Sequence, residues 1–104
     1  MIPTVSNLPL LFPIRVEIPA NTTKVIDFPS EYVGIAVNIN VQNEDAANAA
    51  SFRYGGQTQS NMNIPASSFR TVDNANVKYL QVITGALGRC IVEAQVIPLK
   101  VGRN

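Results

Sequence analysis

The sequence predicts an all-β protein, an antiparallel two-sheet β-sandwich of jelly-roll type with about 7–8 short strands and an extended N-terminal arm. Val and Ile, which are stiff at χ1 and fit a pleated surface, supply 12 and 10 of the 104 residues. Apolar residues alternate with polar ones along most of the chain, and turn residues separate the alternating segments. A small barrel is the alternative architecture.

The first half of the chain contains the clearest strand patterns. Residues 14–18 alternate and are predicted to form a short strand, the corner Pro19–Thr22 follows, and residues 23–28 are predicted to form a second strand. Residues 33–42 form the longest alternating segment, and a helix would scatter its branched residues around the axis. Period two predicts that one face of this strand meets the core, namely Val33, Ile35, Val37, Ile39 and Val41. Residues 43–50 are predicted to form a loop.

The second half is predicted to form shorter strands and a closing hairpin. Residues 51–54 read as a strand that ends at a Gly-Gly turn, and residues 57–63 as an edge strand or an ordered loop. Residues 69–72 form another short strand. Residues 77–84 and 89–97 are predicted to pair as a hairpin with apolar residues on both faces, which requires either a central position or an oligomer contact.

The sequence also contains a weak internal duplication. Ile18–Asp27 aligns with Ile64–Asp73 at an offset of 46 residues, and both segments begin Ile-Pro-Ala and close on a branched residue followed by Asp. Proline ends a strand because it lacks an amide hydrogen for the ladder. The duplication therefore predicts a recurring strand–corner–strand unit, with Asp27 and Asp73 capping the turns that follow.

The composition argues against most enzyme chemistry. The chain has no histidine, one cysteine, a net charge of +1 and only 14% charged residues. Serine catalysis lacks its usual base, a zinc site lacks ligands, and nucleic acid has no basic surface to bind. Cys90 lies in an apolar alternating run and is predicted to be a buried structural thiol. We therefore expect no catalytic residues, no metal, no cofactor and no enzyme activity; a hydrolase using acidic residues ranks last.

Two further sequence features bear on calcium binding and on membrane contact. Asn43, Glu44 and Asp45 could give oxygens to a calcium ion, but a solvated loop is the favoured interpretation because the ligand spacing of a known loop is missing. No run approaches the length of about 18 apolar residues that a membrane helix needs. The apolar start of the chain lacks a basic region, so neither a membrane contact nor a signal peptide is expected.

The chain divides into three predicted regions. Residues 1–13 form a proline-rich apolar arm, residues 14–99 a single sandwich domain and residues 100–104 a short polar tail. Apolar residues on an extended arm must be covered, either by the arm's own sandwich or by a neighbouring subunit. The candidate partner interface combines the arm with the outer face of the predicted hairpin and consists of Leu8, Leu10, Leu11, Phe12, Ile91 and Ile97.

Residues 18–27, residues 33–42 and the closing hairpin together resemble small virion structural proteins, the decoration, cement and minor capsid proteins of phages and archaeal viruses. The resemblance implies a jelly-roll-like sandwich, often a trimer, clamped on a capsid lattice. It also implies that the partners are the major capsid protein or other virion subunits. The location would be the capsid surface, after synthesis in the host cytoplasm.

A glycan-binding or adhesin module is the alternative function. Its aromatic contacts would come from Tyr32, Tyr54 and Tyr79. Because the chain has no tryptophan, ordinary core packing competes with this interpretation of the aromatic residues.

Overall fold

The computed structural model describes residues 11–55 and 61–99 of the chain. Within these ranges the backbone forms eight strands and one short helix. In chain order they are β1 (Phe12–Ile18), β2 (Thr23–Asp27), α1 (Phe28–Tyr32), β3 (Gly34–Asn43), β4 (Ala50–Tyr54), β5 (Met62–Ile64), β6 (Phe69–Val72), β7 (Tyr79–Ile83) and β8 (Cys90–Pro98).

The strands build two antiparallel sheets of four strands each. Sheet A has the order β1-β8-β3-β6 and sheet B the order β2-β7-β4-β5. The first half of the chain pairs with the second half in antiparallel order, through the pairs β1–β8, β2–β7, β3–β6 and β4–β5. This is the pairing of one long hairpin folded into two sheets, which is the jelly-roll topology. The predicted all-β, jelly-roll-like sandwich is confirmed.

A single apolar core fills the space between the sheets. Alternate residues of each strand point into it, and burial of this surface is the main term that stabilises a domain of this size. Sheet A contributes Ile18, Ile39, Val41, Val92 and Val96, and sheet B contributes Ile26, Phe52, Ile64, Leu80 and Val82, all nearly or fully buried.

The predicted terminal hairpin is wrong. β7 lies between β2 and β4 in sheet B, whereas β8 lies between β1 and β3 in sheet A. The connection at residues 84–89 therefore crosses from one sheet to the other instead of closing a hairpin. Both strands are nevertheless central in their sheets, and this position explains why both are apolar on two faces.

Strand β3 departs from the predicted face assignment. Its register with β8 shifts between Ala36 and Asn38, and this β-bulge reverses the alternation of side chains. Ile39 and Val41, which follow the bulge, face the core as predicted. Before the bulge the predicted face is wrong, because Ala36 is fully buried instead of its branched neighbours.

Gly34 occupies the tightest place in this part of β3. A Cβ added there would lie 2.3 Å from Val96 Cγ1 and 2.6 Å from the Ile97 carbonyl oxygen. A larger residue would therefore push β3 away from β8. Because Gly34 and Ala36 face inward on this side of the bulge, Ile35 and Val37 lie on the outer face of sheet A and not in the predicted core position.

The two duplicated corners have the same backbone geometry. Asn21 and Ser67, which are equivalent in the sequence alignment, adopt left-handed φ values of 56° and 55°. Each corner carries the chain from one sheet to the other after a fully buried isoleucine, Ile18 or Ile64. The predicted strand–corner–strand repeat is therefore present. The predicted cap at Asp27 is also present, because its side chain accepts a hydrogen bond of 3.0 Å from Ser30 N at the start of α1.

Candidate protein-binding surface

The outer face of sheet A changes in character from one end to the other. Cross-strand register places its outward side chains in rows that run across β1, β8 and β3. Leu11, which immediately precedes β1, continues this register beside Ile97. The rows are Leu11–Ile97–Ile35, Pro13–Gln95–Asn38, Arg15–Glu93–Asn40 and Glu17–Ile91–Gln42.

The first row belongs to a cluster of exposed and half-buried aliphatic side chains, here called the apolar end. It comprises Leu11, Val33, Ile35, Val37, Ile97 and Leu99. Val33 is 52% exposed, Leu11 44% and Leu99 39%. A hydrogen bond of 2.9 Å from Leu99 N to the Val33 carbonyl holds the chain segments after β8 and before β3 together. Contiguous apolar surface of this kind is a common mark of a protein-binding site.

An open groove of about 560 Å³ runs between the apolar end and the turn after β6. Leu11, Val37, Ile97 and Ala75 supply its apolar lining, and Asn38, Asn74 and Asn76 supply its polar lining.

Hydrogen bonds hold the groove in its open shape. Asn38 donates from Nδ2 to Gln95 Oε1 at 2.7 Å and accepts from Asn74 N at 3.1 Å through Oδ1. Ala75 N donates to the Val37 carbonyl at 3.0 Å. Because both walls are tied to β3, the groove exists without a partner present, and a ligand does not have to create it.

Val33 at the apolar end has a strained backbone. It caps the C-terminus of α1 with a left-handed φ of 52°, and its N–H donates to the Phe28 carbonyl. Glycine or asparagine is usual at this position, and a β-branched residue there is uncommon because Cβ crowds the backbone. Strain of this kind clusters at functional sites. An exposed valine in a position that disfavours it points to a role at the surface.

The opposite end of the same face carries an ion-pair network. Arg89 donates from Nη1 to Glu17 at 2.8 Å and from Nε to Glu44 at 2.6 Å, and Arg15 also pairs with Glu17. The hydrogen bond from Arg15, together with the charge of Arg89, lowers the pKa of Glu17. The hydrogen bond to Glu44 and the charge of Glu17 raise the pKa of Arg89. These exposed groups are mutually satisfied.

Four connections meet beneath this network and form what is here called the loop end. They are the corners at residues 19–22 and 65–68 and the loops at residues 44–49 and 84–89. Thr84 Oγ1 donates toward the Pro19 and Thr22 carbonyls and accepts from Thr22 N at 2.8 Å. Asn21 N donates to the Gly85 carbonyl at 2.7 Å. The first corner is thus tied to the last loop.

A buried Asn43–Asp45 pair ties the remaining connections. Asn43 Nδ2 donates to the Asn48, Ile64 and Pro65 carbonyls at 2.9–3.2 Å, and Asn43 Oδ1 accepts from Asp45 N. Residues 44–49 form the predicted loop and Glu44 is exposed, but Asn43 and Asp45 are each 1% exposed, so the solvated loop expected here is wrong for these two residues. Composition alone did not reveal this burial, because Asn and Asp are also the ordinary residues of an exposed turn.

The Asp45 carboxylate is surrounded by N–H donors. Oδ1 accepts from Ala47 N and Asn48 N at 2.8 Å, and Oδ2 accepts from Leu87 N at 2.9 Å. Burial raises the pKa of Asp45, but these backbone hydrogen bonds outweigh burial and lower it to about 2. Both oxygens are thereby committed to the fold instead of a calcium ion. Among the described residues no group of three or more acidic, cysteine or histidine side chains is arranged to hold a metal.

Cys90 begins β8 directly beside the loop end. It is fully buried, as predicted, and its thiol is free. Burial, and to a lesser extent the charges of Asp45 and Glu44, raises the pKa of Cys90 to about 11. The thiol is therefore protonated at neutral pH, which disfavours its use as a nucleophile.

The six residues of the predicted partner interface occupy different environments. Leu8 and Leu10 lie outside the described residues. Leu11 and Ile97 belong to the apolar end, but Phe12 starts β1 and packs half-buried against the core. Ile91 is only 6% exposed because Glu17 and Gln42 flank it in the sheet. A partner contact through these residues stays a prediction.

Sequence reasoning missed the other residues of the apolar end. The unbroken alternation gives no sign of a bulge and so predicts a core position for Val33, Ile35 and Val37, and it predicts no surface contact for Leu99. The signal that could have found them is the pair Gly34 and Ala36, whose small side chains fit the narrow space against β8.

The three tyrosines of the alternative function do not form one platform. Tyr32 packs against Phe28 with ring centroids 6.1 Å apart, and Tyr54 stacks on Phe52 at 6.5 Å. Tyr79 is 48% exposed on the outer face of sheet B, opposite Asp27. Two of the rings thus serve packing, which leaves Tyr79 as an isolated exposed aromatic residue.

Comparisons with known proteins support the fold. No protein-family model matches the chain, and no curated protein matches it significantly in sequence. One similar solved structure comes from work described as "Bacillus endospore appendages form a novel family of disulfide-linked pili". The two chains are 12% identical, the match covers 86% of this chain and 88% of the other, and the TM-score is 0.54. At this identity the likeness establishes a shared β-rich fold.

None of the helices in the described ranges is both long and apolar enough to cross a lipid bilayer.

Proposed function

We propose that this protein is a non-enzymatic structural subunit that works by binding other protein subunits in a multi-copy assembly. The observation that carries the proposal is the apolar end, where three of the six aliphatic side chains, Leu11, Val37 and Ile97, line a groove that is already formed. Exposed apolar surface of this kind is costly in a monomer, and contact with a partner removes it from water.

The ionisable groups of the described residues support a role without catalysis. The carboxylate of Asp45 accepts hydrogen bonds that hold the loops, and Glu17 and Glu44 are paired with arginines. The Cys90 thiol is buried and protonated. Each of these groups already has a structural task, and none combines an open cleft with a poised base or nucleophile.

The specific form that the sequence resemblance favours is a protein that decorates or cements a capsid. In this form the apolar end, with Leu11 and Ile97, would contact the major capsid protein or neighbouring copies in a trimer. Many weak contacts at once would stabilise the shell through avidity. The protein would then reside on the virion surface.

A second form is a subunit of an extracellular appendage, which the structural likeness to the Bacillus pilus protein favours. The pili in that title are disulfide-linked. Cys90 is fully buried, so we expect copies of this protein to associate through non-covalent contacts at the described surface. A reducing agent should therefore leave such an assembly intact.

Light scattering after size-exclusion chromatography, combined with negative-stain electron microscopy, tests the proposal on the full-length chain. A closed trimer supports the capsid form, and filaments support the appendage form. Leu11→Asp should reduce the assembled fraction, because it places a charge in the apolar end. The matched control is Val25→Asp, which changes a 50% exposed valine on the outer face of sheet B and should assemble normally.

A protein that stays monomeric at all concentrations, and that also fails to bind purified capsids, would contradict the proposal. Equal loss of assembly in both variants would show that solubility, and not the apolar end, controls association.

A further inference from the structure

We propose that the groove at the apolar end binds residues 1–10 of a second copy of this chain. The inference rests on the proposed structural role and names the partner of that surface. It combines three features: the chemistry of the groove, the chemistry of the ten residues that precede Leu11, and the place where those residues leave the sandwich.

The N-terminal segment suits an apolar groove. Residues 1–10 contain no charged side chain, and their apolar residues include Ile2, Val5, Leu8 and Leu10. Pro3 and Pro9 disfavour a helix and favour an extended backbone in the residues before them. An extended segment of ten residues spans up to about 33 Å, which is long enough to reach a neighbouring subunit.

The groove offers matching contacts to such a segment. Leu11, Val37 and Ile97 provide an apolar floor for alternate side chains of an extended chain. Asn74 and Asn76 stand on the wall, and a side-chain amide can both donate to and accept from a peptide backbone. Floor and wall carry no charge, which matches an uncharged segment.

The position of β1 favours a second copy over the same chain. β1 is the edge strand of sheet A, whereas the far wall of the groove belongs to β3 and the turn after β6. A turn just before Leu11 would send the segment back alongside β1 and away from that wall. β3 lies two strand spacings from β1, about 10 Å across the sheet, with β8 between them.

The size of the apolar end also favours a segment over a flat contact. Its six aliphatic side chains are all at least partly covered within the protomer. They expose much less than the roughly 800 Å² per partner that a stable interface requires. An inserted segment adds its own surface to the contact and so supplies the missing area.

The contact has a consequence for symmetry. The donated segment and the accepting groove are different surfaces, so the interface is heterologous, and a joined pair keeps one free segment and one free groove. Such a contact produces a ring where the rotation closes and an open filament where it does not.

The test mixes two variants of the full chain. Leu8→Asp disables the donated segment and leaves the groove intact, whereas Val37→Asp disables the groove and leaves the segment intact. Each variant alone should lose self-association by about tenfold or more, because a charge enters an apolar contact. Mixed together they retain one working pair and should form a 1:1 heterodimer in analytical ultracentrifugation.

A mixture that contains only monomers would overturn the inference, and so would variants that each assemble like the wild type. In the second case the proposed structural role stands and only the occupant of the groove is wrong. A wild-type chain without any self-association or capsid binding would instead overturn the proposed function. Far-UV circular dichroism on both variants guards against misfolding, and Leu11→Asn gives a second check: Leu11 lines the groove and is 44% exposed, so the change should weaken association while leaving the melting temperature nearly unchanged.

Discussion

The two ends of sheet A are built from the same strands, yet the outer face carries ion pairs near the loop end and aliphatic side chains at the apolar end, although Leu87 is also exposed at the loop end. At the loop end, buried polar groups and ion pairs satisfy one another across four connections. At the apolar end, aliphatic side chains and a strained valine face outward without a described cover. The loop end therefore stabilises the protomer, and contact with another protein is the role proposed for the apolar end.

Asn43→Ala should produce the largest loss of stability. The change removes the amide that donates to three carbonyls, of which the contact to Ile64 is fully buried, and a buried acceptor left without its partner costs about 1–3 kcal/mol, so we expect a loss of about 1–3 kcal/mol. Urea denaturation measures the change in free energy of unfolding. Asn40→Ala is the control, since Asn40 lies on the outer face of β3. Equal losses in the two variants would contradict the structural role of the loop end.

Acid should act on the loop end through Asp45. Its pKa of about 2 lies below the ordinary value of 3.8, so the ionised carboxylate stabilises the fold. This stabilisation is fully present above the ordinary pKa and is lost as pH falls through about 2. Urea midpoints measured from pH 5 to pH 2 should fall steeply for the wild type. Asp45→Asn should be less stable at pH 5 and show a weaker decline, and a parallel decline would refute this assignment.

The smallest effect is expected at Val33. A left-handed backbone costs a residue with a Cβ about 1–2 kcal/mol, and asparagine tolerates this conformation better than valine. Val33→Asn should therefore leave the protomer as stable or up to about 1 kcal/mol more stable. Thermal unfolding at low protein concentration is the appropriate measurement. A marked loss of stability would mean that Val33 serves packing and not a partner.

Local patterns were sufficient to predict the fold class and the corners. Alternation marked most strands, and the Ile-Pro-Ala repeats marked two corners that share left-handed residues at equivalent positions. The repeat also has a topological counterpart. If four is added to each strand number of sheet A, with the count returning to β1 after β8, the order β1-β8-β3-β6 becomes β5-β4-β7-β2. This is the strand order of sheet B in reverse. The sequence half-repeat thus corresponds to a pseudo-two-fold relation between the sheets.

Features that depend on distant pairing were not predictable. β7 and β8 lie in different sheets because different strands pair with them, and the sequence of the connecting residues gives no sign of this. The bulge in β3 lies between Ala36 and Asn38, and the alternation of branched residues runs through it unbroken. The candidate site was predicted in part: Leu11 and Ile97 were identified, whereas Val33, Ile35 and Val37 were hidden by the same bulge.

Amide hydrogen exchange of the full-length chain at low and high protein concentration tests the contrast between the two ends most directly. We expect the amides of Ile35, Val37 and residues 74–76 to become more protected as concentration rises, because a second copy covers the groove. Amides at the loop end, such as those of Asp45 and Leu87, should be equally protected at both concentrations. Protection that does not change at the apolar end, or that rises first at the loop end, would contradict the account.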